Sequence, residues 1–327
     1  MARYITPIKD PNIMTSAYEI RKYTPHDKEA WDTMVETSAN GTFLFKRDYM
    51  EYHAHRFVDS SLMIYSKDKL VAILPATRHN NEINSHGGLT YGGFVTQAQL
   101  TSTQLLDIFE AVSHYFREQD ITYWNYKPVP HIYHTYPHDS ELYALYRLQA
   151  ERTACNLSST IDLTAPLRYA ELRRRGIKRA QKCGITIAQS NDFAPFWRVL
   201  EQNLQERHQV SPVHSLDEIT LLHNRFPGHI QLYTAVLNGQ VMAGCVVFNT
   251  GEVAHAQYIS ASPEGKECGA LDMLFAHLIE QVYNTCRYFD FGISTEDGGK
   301  YLNNGLLSQK EGFGARGTIY ETYRISL

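Results

Sequence analysis

Apolar and polar residues follow the same succession of periods twice along this chain. In the first half, "SLMIYSKDKLVAILPA" (61–76) alternates as two strands around a tight Lys67-Asp68-Lys69 turn. In the second half, "QLYTAVLNGQVMAGCVVF" (231–248) does so around Asn238-Gly239, a dipeptide suited to a hairpin because both positions accept a positive φ. A further strand follows each hairpin, "GGLTYGGFV" (87–95) and "VAHAQYISA" (253–261). The period then lengthens to that of a helix. Residues 101–120 put Leu105, Leu106, Phe109, Val112 and Phe116 on one face; the later helix does the same with Leu271, Leu274, Phe275, Leu278, Ile279 and Val282. Each helix leads into a short aromatic strand, "TYWNY" (122–126) or "RYFDF" (287–291), so that Asn125 and Asp290 occupy matching places. Helical segments also precede each hairpin, 26–38 in the first half and 193–207 with 215–225 in the second, the last begun by a Ser215/Glu218 capping box.

The repeat predicts an α/β fold of two tandem domains, each a mixed β-sheet flanked by helices. The expected boundaries are an N-terminal extension over 1–16, a first domain over 17–160 and a second over 161–327. A length of 327 residues suits two domains, and 43% hydrophobic with 20% charged residues suits packed cores. The net charge of −4 argues against wholesale nucleic-acid binding, so no DNA partner is expected. Five cysteines, odd in number and without a C-x-x-C pair, predict neither a disulfide framework nor a zinc site, and a reducing cytoplasm is the expected home. No stretch approaches the roughly 20 apolar residues of a membrane span, and the start lacks the apolar segment of a signal peptide.

Between the strand ending at Ala261 and the second crossover helix lies "SPEGKECGA" (262–270), read as a small-residue loop with the helix starting after it. A strand, such a loop and a helix N-terminus together form an anion site, with Gly265, Lys266, Gly269 and Ala270 as candidate contacts. Glycine and lysine spacing fits neither a Walker loop nor a dinucleotide fingerprint, and an ordinary strand-to-helix connection reads the same way.

Two other segments carry more specific signals. "RYFDFG" (287–292) is followed by Asn304-Gly305-Leu306 and by "SQKEGFG" (308–314); "RRGIKRAQKCGITI" (174–187) is a basic helix leading into a strand. In these motifs the chain resembles the GNAT acyltransferase superfamily, and within it the Fem-like peptidyl transferases, which are themselves tandem GNAT folds. The resemblance runs from about residue 17 to the end. Two departures stand out: Ser308 occupies the place of the GNAT general-acid tyrosine, and Gln309 replaces the phenylalanine that precedes the lysine in Fem-type proteins. The heptad insertion often found in tRNA-reading Fem proteins is absent from the sequence.

The resemblance implies an acyl-CoA donor, acetyl-CoA first, with no metal, and transfer to an amine or hydroxyl of a sugar- or amino-acid-derived acceptor. Backbone N–H groups near Tyr258, Ile259, Ser260 and Ala261 would polarise the thioester, and residues 263–270 would hold the pyrophosphate. Tyr301 and Lys310 are the unranked candidates for the missing acid. Acceptor-side candidates are Tyr91 and Lys127 near strand ends, Arg174 and Arg175 as guanidinium forks, His214 and Asp290. Core packing explains the tyrosine, and a solvated face explains the arginines, equally well. Other functions compatible with the pattern are a Fem-type transferase using aminoacyl-tRNA and a degenerate GNAT pair that only binds a glycan or peptide precursor. His53 with His55, and "HIYH" (131–134), lack ligand spacing for a metal, and Cys268 reads as a small residue in a tight turn rather than a nucleophile.

Overall fold

Both hairpins form where the sequence places them. In the computed structural model, which describes residues 17–327, Lys67 and Asp68 take φ of 49° and 63°, and Asn238 and Gly239 take 51° and 78°. Two consecutive positive φ values twist the chain as a two-residue hairpin requires. The extension expected over 1–16 lies outside the described residues.

The first half runs β1 (Glu19–Lys22), α1 (Lys28–Thr37), β2 (Leu62–Ser66), β3 (Lys69–Leu74), β4 (Val95–Thr96), α2 (Ser102–Glu118), β5 (Tyr123–Tyr126) and α3 (Ser140–Arg147). A long strand, β6 (Glu151–Asp162), crosses to the second half. There follow α4 (Glu171–Cys183), β7 (Thr186–Ser190), α5 (Ala194–His208), α6 (Leu216–Arg225), β8 (Ile230–Leu237), β9 (Gln240–Asn249) and β10 (Val253–Ala261). The chain closes with α7 (Pro263–Cys268), α8 (Ala270–His277), a π-helical turn (Leu278–Val282), β11 (Tyr288–Ile293), α9 (Asn304–Glu311) and β12 (Arg316–Ser326).

Among the described residues two large sheets form, beside a two-stranded ribbon within 295–302, but they do not divide as the repeat suggests. Strands β1-β2-β3-β4 form one; the other is eleven-stranded, in the order β7-β8-β9-β10-β11-β6-β12-β5 followed by three short strands of the first half. The last strand, β12, pairs with β6 along most of its length and then with β5, so the C-terminus completes the sheet of the first half. This joining strand lies far in sequence from β5, a non-local pairing that periodicity does not reveal.

Three apolar clusters follow. One packs α2 onto the first half's strands through Leu105, Phe109, Val112 and Phe116, and a second packs α8 onto β9, β10 and β11 through Leu274, Phe275, Phe289 and Phe291. The third joins the halves: Phe43 stacks on His229 with centroids 4.8 Å apart and meets Phe248 at 5.6 Å.

Two local expectations are corrected. Of "GGLTYGGFV" only Val95 belongs to a strand; residues 87–94 are irregular, their backbone held by bonds such as Gly92 N–H to the Lys127 carbonyl (2.9 Å). Four glycines in this run remove the side chains that would favour a strand. The expected loop 263–270 is instead mostly helix. Ser262 caps α7, its hydroxyl accepting from Gly265 N–H at 3.0 Å, with Pro263 at the first helical position. Gly269 (φ 78°) then turns the chain into α8.

The glycines here are explained by packing. A Cβ at Gly269 would lie 2.6 Å from the Gly176 carbonyl oxygen on α4, and one at Gly265 would lie 2.2 Å from the Met242 carbonyl oxygen on β9. Gly269→Ala is therefore expected to lower stability by about 1–3 kcal/mol through left-handed strain and overlap; a denaturation midpoint equal to that of the unsubstituted protein would contradict this.

Candidate active site

Strands β10 and β11 run parallel but stay together for only three pairs, Val253↔Tyr288, Ala254↔Phe289 and His255↔Asp290. Beyond that last pair they diverge, β10 continuing beside β9 to Ala261 and β11 beside β6 to Ile293. The wedge between them opens into a cavity of about 530 Å³. Ile259, Ser260 and Ala261 line one wall, Phe275, Phe291 and Phe313 the apolar floor, and Asn303, Gly305 and Lys310 the far side. A neighbouring hollow of about 410 Å³ shares Lys266, Leu271, Gly305 and Gln309 with it and reaches Arg173, Arg179 and Asp272. Together they form one groove, apolar within and basic at its outer end.

Lys310 sits at the inner end. Its side chain is buried, and Nζ donates to the carbonyls of Gly292 (2.8 Å) and Ile293 (2.7 Å) where β11 finishes. An ammonium has three protons, so one remains for the cavity. Burial pulls its pKa down to about 8, against the opposing charge of Asp290.

Asp290 is fully buried and accepts four hydrogen bonds. Ser158 Oγ (2.6 Å) and Thr160 Oγ1 (2.8 Å) donate to one oxygen; His255 Nδ1 (2.7 Å) and Tyr320 OH (2.9 Å) meet the other. Burial alone would raise the carboxyl pKa, but the His255 bond and charge and the two hydroxyls outweigh it, and the net shift is downward. The network extends into the first half, since Tyr320 OH lies 3.0 Å from Tyr133 OH, and the Tyr133 ring packs on Tyr91 with centroids 4.6 Å apart.

The corresponding place in the first half is closed. There β4 and β5 belong to different sheets, and the Tyr126 hydroxyl bridges between them, accepting from Phe94 N–H (2.8 Å) and donating to Glu141 (2.5 Å).

The residues singled out from sequence fall in several places. Ile259, Ser260, Ala261, Lys266 and Lys310 come together on the groove, with Lys266 Nζ donating to Asn203 Oδ1 at 2.8 Å. Gly265 and Gly269 border its outer hollow, whereas Ala270 is fully buried beneath it. Tyr258 points to the other face of β10, because Gln257 is an extra residue opposite the Val246–Val247 step. There its hydroxyl meets His214 Nδ1 at 2.5 Å, and burial pushes the His214 pKa down to about 4. Tyr91 is a core residue donating to Thr42 Oγ1 (3.2 Å), and Lys127 donates to the Leu89 carbonyl (3.3 Å), burial lowering its pKa. Tyr301 stands exposed on a short hairpin outside the cavity lining, and Arg175 is exposed on α4. Arg174 pairs with Glu171 and borders a different hollow, of about 500 Å³, beside Tyr169.

The inward-turning arginine is Arg173, which the run of three arginines does not single out. Arg173 pairs with Asp272 at 2.5 Å and lies over the Phe313 ring at 5.7 Å, binding α4 to α8. Its signal was Asp272, an acidic residue on the buried side of an apolar helix. Arg179 is exposed on the same helix and lines the outer hollow. His255 was missed as well, since nothing in a strand sequence announces a partner 35 residues away.

Comparison with known proteins agrees with this geometry. Residues 170–300 match the family described as acetyltransferase (GNAT) domain. No sequence among curated proteins matches the chain. Among solved structures, FemX superposes with a TM-score of 0.66 at 11% identity, covering 94% of this chain and 97% of its own. L-PGS from Bacillus licheniformis gives 0.60 at 13% identity, with 93% and 92% covered. A tandem GNAT protein from the clavulanic acid biosynthesis pathway gives 0.52 at 10% identity, with 94% and 98% covered. Residues 170–300 thus match the acetyltransferase (GNAT) domain family, and the chain as a whole has a Fem-like tandem GNAT fold.

Proposed function

We propose that this protein is an acyltransferase that moves an acyl group from a coenzyme A thioester to an amine, or a hydroxyl, of a sugar- or amino-acid-derived acceptor. The observation that carries the reading is the single groove, which runs from the parting of β10 and β11, with Lys310 at its inner end, out to Lys266, Arg173 and Arg179. Its two ends differ as the two ends of such a donor do. The narrow apolar arm of an acyl-CoA suits the wedge, and its phosphates suit the basic hollow.

In this reading the edge of β10 that has parted from β11 lies along the pantetheine arm. Backbone N–H groups near Ile259 to Ala261 then polarise the thioester carbonyl without reorganising, the mode of stabilisation that contributes most in acyl transfer. Lys310 serves the departing thiolate, its remaining ammonium proton being the nearest acid to the end of β11. Much of the acceleration comes from holding acceptor and thioester together.

Arg179 and Lys266 give a cleaner test of the phosphate end than the glycines, whose substitution disturbs helix packing. Arg179→Glu is expected to raise KM for acetyl-CoA by about tenfold or more with little change in thermal midpoint, because the side chain is exposed. Unchanged KM in both Arg179→Glu and Lys266→Glu would remove the phosphate assignment.

The reaction itself is tested by following thiol release from acetyl-CoA with a panel of amino sugars and amino acids, before and after RNase treatment. Acceptor-dependent release insensitive to RNase supports the reading. Transfer that needs charged tRNA and is lost with RNase would replace the donor.

A further inference from the structure

We propose that His255 is the general base that takes the proton from the acceptor amine, and that Asp290 is the residue positioning it; this rests on the acyl-transfer reading above. His255 and Asp290 form the last pair before β10 and β11 separate, so the His255 backbone stands at the apex of the wedge, bordering the cavity lined by Ile259 and Phe291. Asp290 is sealed within the sheet, while the His255 side chain retains 13% exposure.

The hydrogen bonds fix the tautomer. A buried ionised carboxylate can only accept, and Ser158, Thr160 and Tyr320 supply three of its four donors. His255 must therefore present a proton on Nδ1, at 2.7 Å from the carboxylate, and a lone pair on Nε2. A base held by a buried carboxylate through its other ring nitrogen is the arrangement that hydrolases use to activate a nucleophile.

The position relative to Lys310 carries the inference further. Gly292 separates the two groups: its carbonyl accepts from Lys310 Nζ at 2.8 Å, and a Cβ built on it would lie 3.3 Å from His255 Cε1. Acid and base thus lie on either side of one residue, at the point where the strands part.

The step balances without a further reactant. The amine nitrogen bonds to the thioester carbon as its proton passes to His255 Nε2, and the carbon–sulfur bond breaks. The thiolate takes a proton from the Lys310 ammonium, giving an amide and a free thiol. His255 then loses its proton to solvent and Lys310 regains one, so no net charge accumulates.

The titratable groups around His255 are Asp290 on β11, Tyr320 on β12, Tyr133 behind Tyr320, and Lys310 across Gly292. Burial raises both tyrosines far above the usual range and keeps them neutral. Asp290 and Lys310 are therefore the charged groups on the two sides of the imidazole.

His255→Gln is expected to lower kcat/KM for the amine about 100-fold or more while acetyl-CoA affinity stays within about twofold. The acidic limb of the kcat/KM profile should disappear with it. If His255 merely supports Asp290, the variant would lose thermal stability and yet keep that limb, which would overturn the proposal. A second measurement needs no turnover: ¹⁵N spectra of the whole unsubstituted protein should show the neutral His255 ring protonated at Nδ1. A neutral ring carrying its proton on Nε2 would equally overturn it. Failure of acetyl-CoA to bind would instead count against the donor assignment, and the two failures are read separately.

Discussion

Lys310→Met is expected to lower kcat by about two orders of magnitude, the effect of removing a buried donor aimed at developing negative charge. Methionine keeps most of the apolar stem but leaves the Gly292 and Ile293 carbonyls without the ammonium that now meets both. A stability loss of about 1–3 kcal/mol should accompany the loss of rate. The pH dependence separates the two effects. With its pKa drawn down to about 8 by burial, the lysine is protonated below that value and deprotonated above it. If it acts as the acid, kcat falls as pH rises through about 8, and this basic limb is missing from the residual activity of the variant. A limb that persists in Lys310→Met would assign the acid elsewhere, with Tyr301 the first alternative despite its exposure.

The second large effect concerns Asp290. Asparagine is nearly isosteric, but it offers one acceptor oxygen and an NH2 group where the aspartate meets four donors. Asp290→Asn is expected to lower unfolding free energy by about 3 kcal/mol at neutral pH, the cost of breaking a fully buried charged network, and to reduce kcat/KM together with it. The sign of the pH dependence follows from the depressed carboxyl pKa. Between the native value and the ordinary value near 3.8 the unfolded chain binds more protons, so stability rises with pH there. Asp290 therefore stabilises fully above the ordinary value and loses that contribution as pH falls through the native one. Denaturant midpoints of the two proteins should converge in acid; a constant offset down to pH 2 would mean that the carboxylate charge is not what stabilises the site.

Local pattern carried much of the fold. The Asn238-Gly239 hairpin, the buried stripe of α2 and the aromatic strands ending in Asn125 and Asp290 all depend on neighbours a few residues apart, and all are present. What the pattern could not carry was pairing at a distance. Nothing in residues 316–326 states that they join β6 to β5, because the partners' identities do not enter a period-two alternation. Gly265 and Gly269 made 263–270 read as a loop, but Ser262-Pro263 begin α7 there, and both glycines answer to close backbone approach by β9 and α4.

The site divided in the same way. Lys310 was accessible through its motif, and Ile259 to Ala261 through their place at a strand end. Among the three consecutive arginines, the choice of the inward one depended on where a helix turning about 100° per residue meets Asp272, and that is Arg173 rather than Arg174 or Arg175. Tyr91 illustrates the opposite case: an aromatic residue near a strand end looked available for a ligand, and tertiary packing buries it against Tyr133. No helix among the described residues is long and apolar enough to cross a membrane.

The central claim is that one groove, between the parted strands and the basic end of α4, receives an acyl-CoA. Its most direct test is calorimetric titration of the purified protein with acetyl-CoA and with CoA. The account predicts micromolar binding of acetyl-CoA to a single site, weakened about tenfold or more by Arg179→Glu. Absence of binding to both ligands by the folded protein would contradict it.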